Sequence, residues 1–158
     1  MAQTSDRLYF RQLLSGRDFA AGDMIAAQMR NFAYLIGDRE TGDTVVVDPA
    51  YAAGDLVDTL EADGMHLSGV LVTHHHPDHV GGSMMGFTLA GLAELMERQS
   101  VPIHVNTHEA EWVSRITEIP LSDLTSHEHG DKVNVGAIEI ELLHTPGHTP
   151  GSQCFLLD

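Results

Sequence analysis

Residues 69–82 read Gly-Val-Leu-Val-Thr-His-His-His-Pro-Asp-His-Val-Gly-Gly, an apolar run that ends directly in a cluster of imidazoles and a carboxylate. The run Gly69–Thr73 predicts a strand buried on both faces. The fold must then present polar side chains at that strand's C-terminal end, which is where α/β folds place their ligands. His74 and His76 are two apart, so extended backbone sends both imidazoles the same way. Pro77 holds His76 in the extended region and opens a short helical turn, which carries Asp78 and His79 towards a neighbouring point. Two adjoining ligand sets imply two metal sites. With 11 histidines in the chain, the pattern His-x-His-x-Asp-His arises by chance only roughly 0.004 times. A tag-like histidine tract also lacks the aspartate and the strand in front.

A second cluster, His144-Thr145-Pro146-Gly147-His148-Thr149-Pro150-Gly151-Ser152, follows another predicted strand. His148 therefore also sits at a strand end. His74, His76 and His148 together would make a tri-histidine zinc face with an open fourth position, the arrangement of a catalytic rather than a structural metal.

The segment Thr73-His74-x-His76-x-Asp78-His79-x-Gly81-Gly82, taken with His144-Thr145-Pro146-Gly147-His148-Thr149, resembles the metallo-β-lactamase superfamily. Within it the chain is most similar to the hydroxyacylglutathione hydrolase branch, over about Phe32 to Ser152. The resemblance implies an α/β fold, an αβ/βα sandwich, of which this chain covers the first half and the start of the second. It implies that His74, His76 and His148 bind one metal and that Asp78 and His79 bind another. Val47-Asp48-Pro49 is similar to an earlier family motif, with Asp48 near the metals. A carboxylate after three valines needs a partner if buried, so Asp48 is either a hydrogen-bonding support for a ligand histidine or a strand terminator.

The implied activity is metal-dependent hydrolysis of a thioester, such as an acylated glutathione or another small thiol. Two divalent ions, zinc by default with iron or manganese as alternatives, would acidify a water for attack on the carbonyl. Asp78 would bind the second metal and orient that nucleophile. Two alternatives stay open: a mononuclear iron dioxygenase of thiol persulfides with the same fold, and a non-catalytic metal-binding module. A β-lactam or lactone substrate is a further option.

Two ligands of the family pattern are not found: a bridging aspartate in a Gly-Asp turn after the strand beginning at Gln153, and a last histidine well beyond it. Asp131 precedes the wrong strand and Asp158 lacks the turn. The expectation is a single domain over 1–158, truncated at its C-terminus, with weak metal binding and a tendency to self-associate into a homo-oligomer through uncovered apolar faces.

The formal net charge of −15, with 8 basic residues, argues against nucleic acid and anionic membrane surfaces. Cys154 is the single cysteine, so no intrachain disulfide is expected. Met1 to Phe10 has no apolar signal-like core, and no run reaches the roughly 20 apolar residues of a membrane span. The expected setting is cytoplasmic and the expected partner a small-molecule thioester.

Elsewhere, Phe32–Ile36 and Thr44–Val47 read as a hairpin across the polar turn 37–43. Helices are expected over Gly54–Gly64, Phe87–Arg98 and His108–Ile116, and strands over Val101–Val105, Lys132–Val135, Ala137–Leu143 and from Gln153 onward. Ser122–Gly130 reads as a polar loop, and His127-x-His129 within it as solvated rather than ligating. His66, His104 and His108 are read as structural, His144 as a residue that either orients a ligand or does not touch one, and Cys154 as an inert buried thiol. The Met84-Met85 pair is read as packing or an entrance loop.

Overall fold

The valine run Val45–Val47 has apolar neighbours on both of its faces, and this explains the layering of the whole chain. In the computed structural model, which describes residues 4–158, Val46 packs into one apolar cluster while Val45 and Val47 pack into another. Residues 1–3 of the domain expected over 1–158 lie outside the described residues. A strand buried on both faces is necessarily an interior strand with covering layers on each side.

The elements run in the order α1 (Thr4–Arg7), β1 (Leu8–Leu14), α2 (Met24–Met29), β2 (Phe32–Asp38), β3 (Asp43–Val47), α3 (Ala53–Ala62) and β4 (His66–Leu71). Then come α4 (Pro77–Val80), β5 (Gly82–Met84), β6 (Phe87–Leu89), α5 (Leu92–Arg98), β7 (Ile103–Asn106) and α6 (Ala110–Thr117). A 3-10 turn at Leu121–Asp123 leads into β8 (Leu124–His127), β9 (Lys132–Val135), β10 (Ile138–His144) and β11 (Gln153–Leu157). Six strands form one sheet in the order β1-β2-β3-β4-β7-β8; β9, β10 and β11 form a second, and β5 and β6 a hairpin. In the large sheet β1, β2 and β3 are antiparallel neighbours, and β3, β4, β7 and β8 run parallel.

Helices cover one face of the large sheet. Leu56, Val57 and Leu60 of α3, Leu92 and Leu95 of α5 and Val113 of α6 meet Leu35, Val46, Val70 and Val105 there. The three-stranded sheet covers the other face, where Ile138, Ile140 and Leu142 of β10 meet Ile36, Val45, Val47 and Leu71. Period-two alternation sends Glu139 outward between them. The α/β layered class expected from the sequence is therefore the one observed.

The two sheets are tied at one corner by Asp38, whose side chain is fully buried. It accepts two bonds from the Arg7 guanidinium and one each from the Glu40 and Ala137 amides. Gly136, in the β9–β10 turn, has φ +58° and packs against Asp38 with no space for a Cβ. The Arg7 contact holds the Asp38 carboxyl well below the usual carboxylate range, against an opposing effect of burial.

Four local readings need correction. Phe87–Leu89 is a strand of the β5–β6 hairpin, and only Leu92–Arg98 is helical; the Leu89, Leu92, Met96 spacing fits a helix that Gly91 interrupts. Ser122–Gly130 is not simply a loop, since Leu124–His127 joins the large sheet beside β7. Its Thr-Ser-His composition hid an edge strand. Consequently His127 is not a solvated loop residue: its Nε2 lies 2.8 Å from His104 Nδ1. Cys154, finally, is exposed.

Candidate metal centre

Strands β3 and β4 end side by side, and the chain beyond each is held in place by one carboxylate. Asp48, just past β3, has φ +54°, an uncommon backbone state for a residue with a side chain. From there Oδ1 accepts the Thr73 amide at 2.8 Å, and Oδ2 accepts both the Thr73 hydroxyl and His79 Nδ1, the latter at 2.8 Å. The loop after β4 is thus fastened to the end of β3. His76 is extended (φ −61°, ψ 139°) and Pro77 opens α4, the local geometry that the proline predicts.

The Thr73 hydroxyl donates its one proton to Asp48, so it accepts from His74 Nδ1, 2.8 Å away. That assigns the proton of His74 to Nδ1 and leaves the lone pair on Nε2. His74 Nε2 is buried and has no hydrogen-bond partner. An unpartnered buried polar atom is costly unless something fills the place it faces.

What it faces is two other imidazoles. The ring centroids of His74, His76 and His148 stand 4.8 Å apart in each of the three pairings, with planes steeply inclined to one another. One nitrogen from each lies within 4.8 Å of the others, a spacing suited to a single cation. Loops separated by some seventy positions in the sequence therefore meet. Three neutral imidazoles around one point suit zinc and other borderline cations. Burial, with the charges of neighbouring histidines, pushes His74 down to about 4. Burial and the neighbouring His75 and His148 lower His76 in the same direction. Both rings thus keep lone pairs available at neutral pH.

Beside this triangle lies a second set. His79 Nδ1 donates to Asp48, so its lone pair is on Nε2, which lies 3.5 Å from Asp78 Oδ2. Asn31 Nδ2 stands 2.9 Å from that oxygen and 3.3 Å from His79 Nε2, and the Tyr51 hydroxyl donates to Asn31 Oδ1 at 2.7 Å. Asp48, His74 and His79 also lie close enough to share a cation. Asp48 Oδ2 already accepts two bonds, however, so Asp48 is better placed to support His79 than to ligate. Burial opposes a charged His79, but the Asp48 bond and the charges of Asp48 and Asp78 outweigh it and raise its pKa. His79 is thus shifted in the direction opposite to His74 and His76.

Sequence reasoning passed over Asn31, Tyr51 and Glu109. Glu109 is buried, yet it receives bonds from the segments carrying His74 and His148. Burial pushes its carboxyl up, and bonds from His75 and Thr149 more than offset this to hold it below the ordinary value. A lone polar residue ahead of a helix carries no signal of such a role. His144 does not point into the triangle: its Nε2 donates to the Pro150 carbonyl at 2.8 Å and its ring stacks on His108. It braces the loop that carries His148.

Comparison with known proteins agrees with this geometry. The profile of the Metallo-beta-lactamase superfamily matches residues 28–158. A hydroxyacylglutathione hydrolase of Bradyrhizobium sp. (strain ORS 278) is 39% identical over 128 residues, 81% of this chain and 44% of that protein. The chain thus spans less than half the length of such relatives. ETHE1 from Myxococcus xanthus superposes with a TM-score of 0.69 at 27% identity, covering 94% of this chain and 53% of that one. A metallo-beta-lactamase from Staphylococcus aureus superposes with a TM-score of 0.71 at 24% identity, covering 96% and 38%. With its sheets layered as in these structures and its histidines gathered at the sheet's rim, the chain belongs to the metallo-beta-lactamase superfamily.

Proposed function

We propose that this protein is a metal-dependent hydrolase acting on a thioester of the hydroxyacylglutathione class. The observation that carries the metal part is the His74 Nε2 lone pair, buried without a partner and aimed at the His76–His148 pair. The name of the relative at 39% identity supports the substrate class. His74, His76 and His148 would hold one divalent cation, and Asp78 and His79 a second, zinc being the default. Cations bound there would supply a nucleophile at neutral pH by acidifying water, and would polarise the substrate carbonyl.

The chain's own residues do the rest. Thr73 fixes the His74 tautomer, and Asp48 fixes that of His79, so both lone pairs face the site before any cation arrives. Asp78, held at one oxygen by Asn31, keeps its other oxygen for the second cation or for orienting the attacking water. Supports of this kind are worth about 10- to 100-fold in metal affinity or activity.

The test combines metal analysis with thiol release from a 2-hydroxyacyl glutathione thioester. Expected is bound zinc, turnover that chelation removes, and loss of both in His74→Ala. Tight metal binding without thiol release would leave a metal-binding module instead. Oxygen uptake with a persulfide in the iron-loaded protein would favour the dioxygenase alternative.

A further inference from the structure

Two corners of the histidine triangle, His74 and His76, are on the loop after β4 and the third, His148, is on the loop between β10 and β11, so something must set the distance between the two loops. The 145–152 loop is closed mainly on itself. Thr145 and Ser152, Gly147 and Thr149, and His144 and Pro150 bond within it. It is therefore an internally bonded unit that carries His148. Its base is anchored, because the Gln153 amide donates to the Thr73 carbonyl at 3.1 Å and its side chain to the Val72 carbonyl at 2.8 Å. These anchors, with the β10–β11 pairing of His144 and Gln153, all lie at the loop's base and none ties its far end to the loop after β4.

The second attachment is Glu109, the residue before α6, whose side chain is 1% exposed. Its Oε1 accepts the His75 backbone amide at 2.7 Å and also the His75 ring Nδ1. Its Oε2 accepts the Gly151 amide at 2.8 Å. One carboxylate thus grips the residue between His74 and His76 with one oxygen, and the loop of His148 with the other. The approach is close: a Cβ on Gly151 would stand 2.5 Å from both Glu109 Cβ and Glu109 N. Trp112 of α6 stacks on His75, ring centroids 5.3 Å apart at 22°, and holds that ring against Glu109.

We propose that Glu109 is a positioning residue that sets the separation of the two metal-binding loops and thereby the affinity of the tri-histidine site. The claim rests on the metal reading given above. Glu109 touches no cation itself; it acts through His75 and Gly151. Only an acceptor at both oxygens serves, because each faces an N–H. Glutamine at this position would turn a donor towards one of them, and the loop facing it would come loose.

The experiment uses Glu109→Gln and, independently, Gly151→Ala, which forces the loop away while leaving the carboxylate intact. Three quantities are read: amide hydrogen exchange in chelator-treated protein, the zinc dissociation constant by competition with a chromophoric chelator, and the visible spectrum of bound cobalt(II). Expected in both variants is faster exchange over residues 144–152 with β3 and β4 amides unchanged. Zinc binding should weaken by about 10- to 100-fold, with an altered cobalt spectrum. Exchange that quickens equally in β3 and β4 would make Glu109 a general stability residue and overturn the proposal. A loosened loop with wild-type zinc affinity and cobalt spectrum would overturn it too, as would unchanged exchange. Should the unmutated protein bind neither zinc nor cobalt, the metal reading and the affinity claim fall together, while the exchange data still decide whether Glu109 joins the loops.

Discussion

At the scale of single residues the site is a set of protons whose positions are decided by neighbours. The Thr73 hydroxyl has one proton and gives it to Asp48, and this fixes which nitrogen of His74 is bare. Replacing Asp48 with Asn removes the acceptor for His79 Nδ1 and for that hydroxyl at once, so both tautomers are released. Asp48→Asn should bind zinc about 10- to 100-fold more weakly than the unmutated protein, measured by chelator competition. Tyr51→Phe removes only the bond that orients Asn31. It should leave the tri-histidine affinity unchanged and weaken the second cation alone, seen as a drop in stoichiometry from two to one on titration.

At the scale of elements, the pairing of β7 with β8 brings two half-buried imidazoles together. Burial and the adjacent His127 push His104 down to about 4, from an ordinary value near 6.5. A histidine kept neutral in the fold but protonated when unfolded contributes stability that is complete above about pH 6.5. That contribution is lost as pH falls towards 4, with a slope of about 1.4 kcal/mol per pH unit. His104→Asn should flatten the acid limb of the metal-free protein between these limits, as read by urea midpoints at successive pH values. The same pair shows where sequence reading succeeds and where it stops. Strands β3 and β4 were legible because burial on both faces leaves an uninterrupted apolar run. The candidate ligands His74, His76, Asp78, His79 and His148 stood out because their residue types and spacing are improbable otherwise. Strand β8 was missed because an edge strand needs few apolar residues, β1 because Arg11 and Gln12 break its alternation, and α2 because six residues are too few to show a helical repeat. Glu109, Asn31 and Tyr51 were hidden for a different reason. Each acts through a partner about 20 to 50 positions away, and no local pattern announces such a bond.

At the scale of the whole molecule, two sheets share one apolar layer and are joined by a few polar ties. Asp38 is the tie at the corner opposite in chemistry to the metal centre, an anion held by Arg7 and two amides. Its depressed pKa means that it contributes stability above the ordinary carboxylate value near 4, and that this contribution is lost as pH falls below that point. Asp38→Asn should therefore lower thermal stability at pH 7 and narrow the difference between pH 7 and pH 3, measured by calorimetry. Among the described residues no helix is long and apolar enough to cross a membrane.

The triangle of His74, His76 and His148 draws on both layers, because two of its corners follow β4 of the large sheet and the third follows β10 of the small one. A cation seated there would be a rivet through the sandwich as well as a reagent. Filling it at a thousand times its dissociation constant would add about 4 kcal/mol to the stability of the folded chain. The small sheet, held elsewhere by its apolar contacts and a few polar ties, should feel that gain most. A melting temperature that climbs with zinc in the unmutated chain, and stays flat in His148→Ala, would show the layers being fastened from one rim.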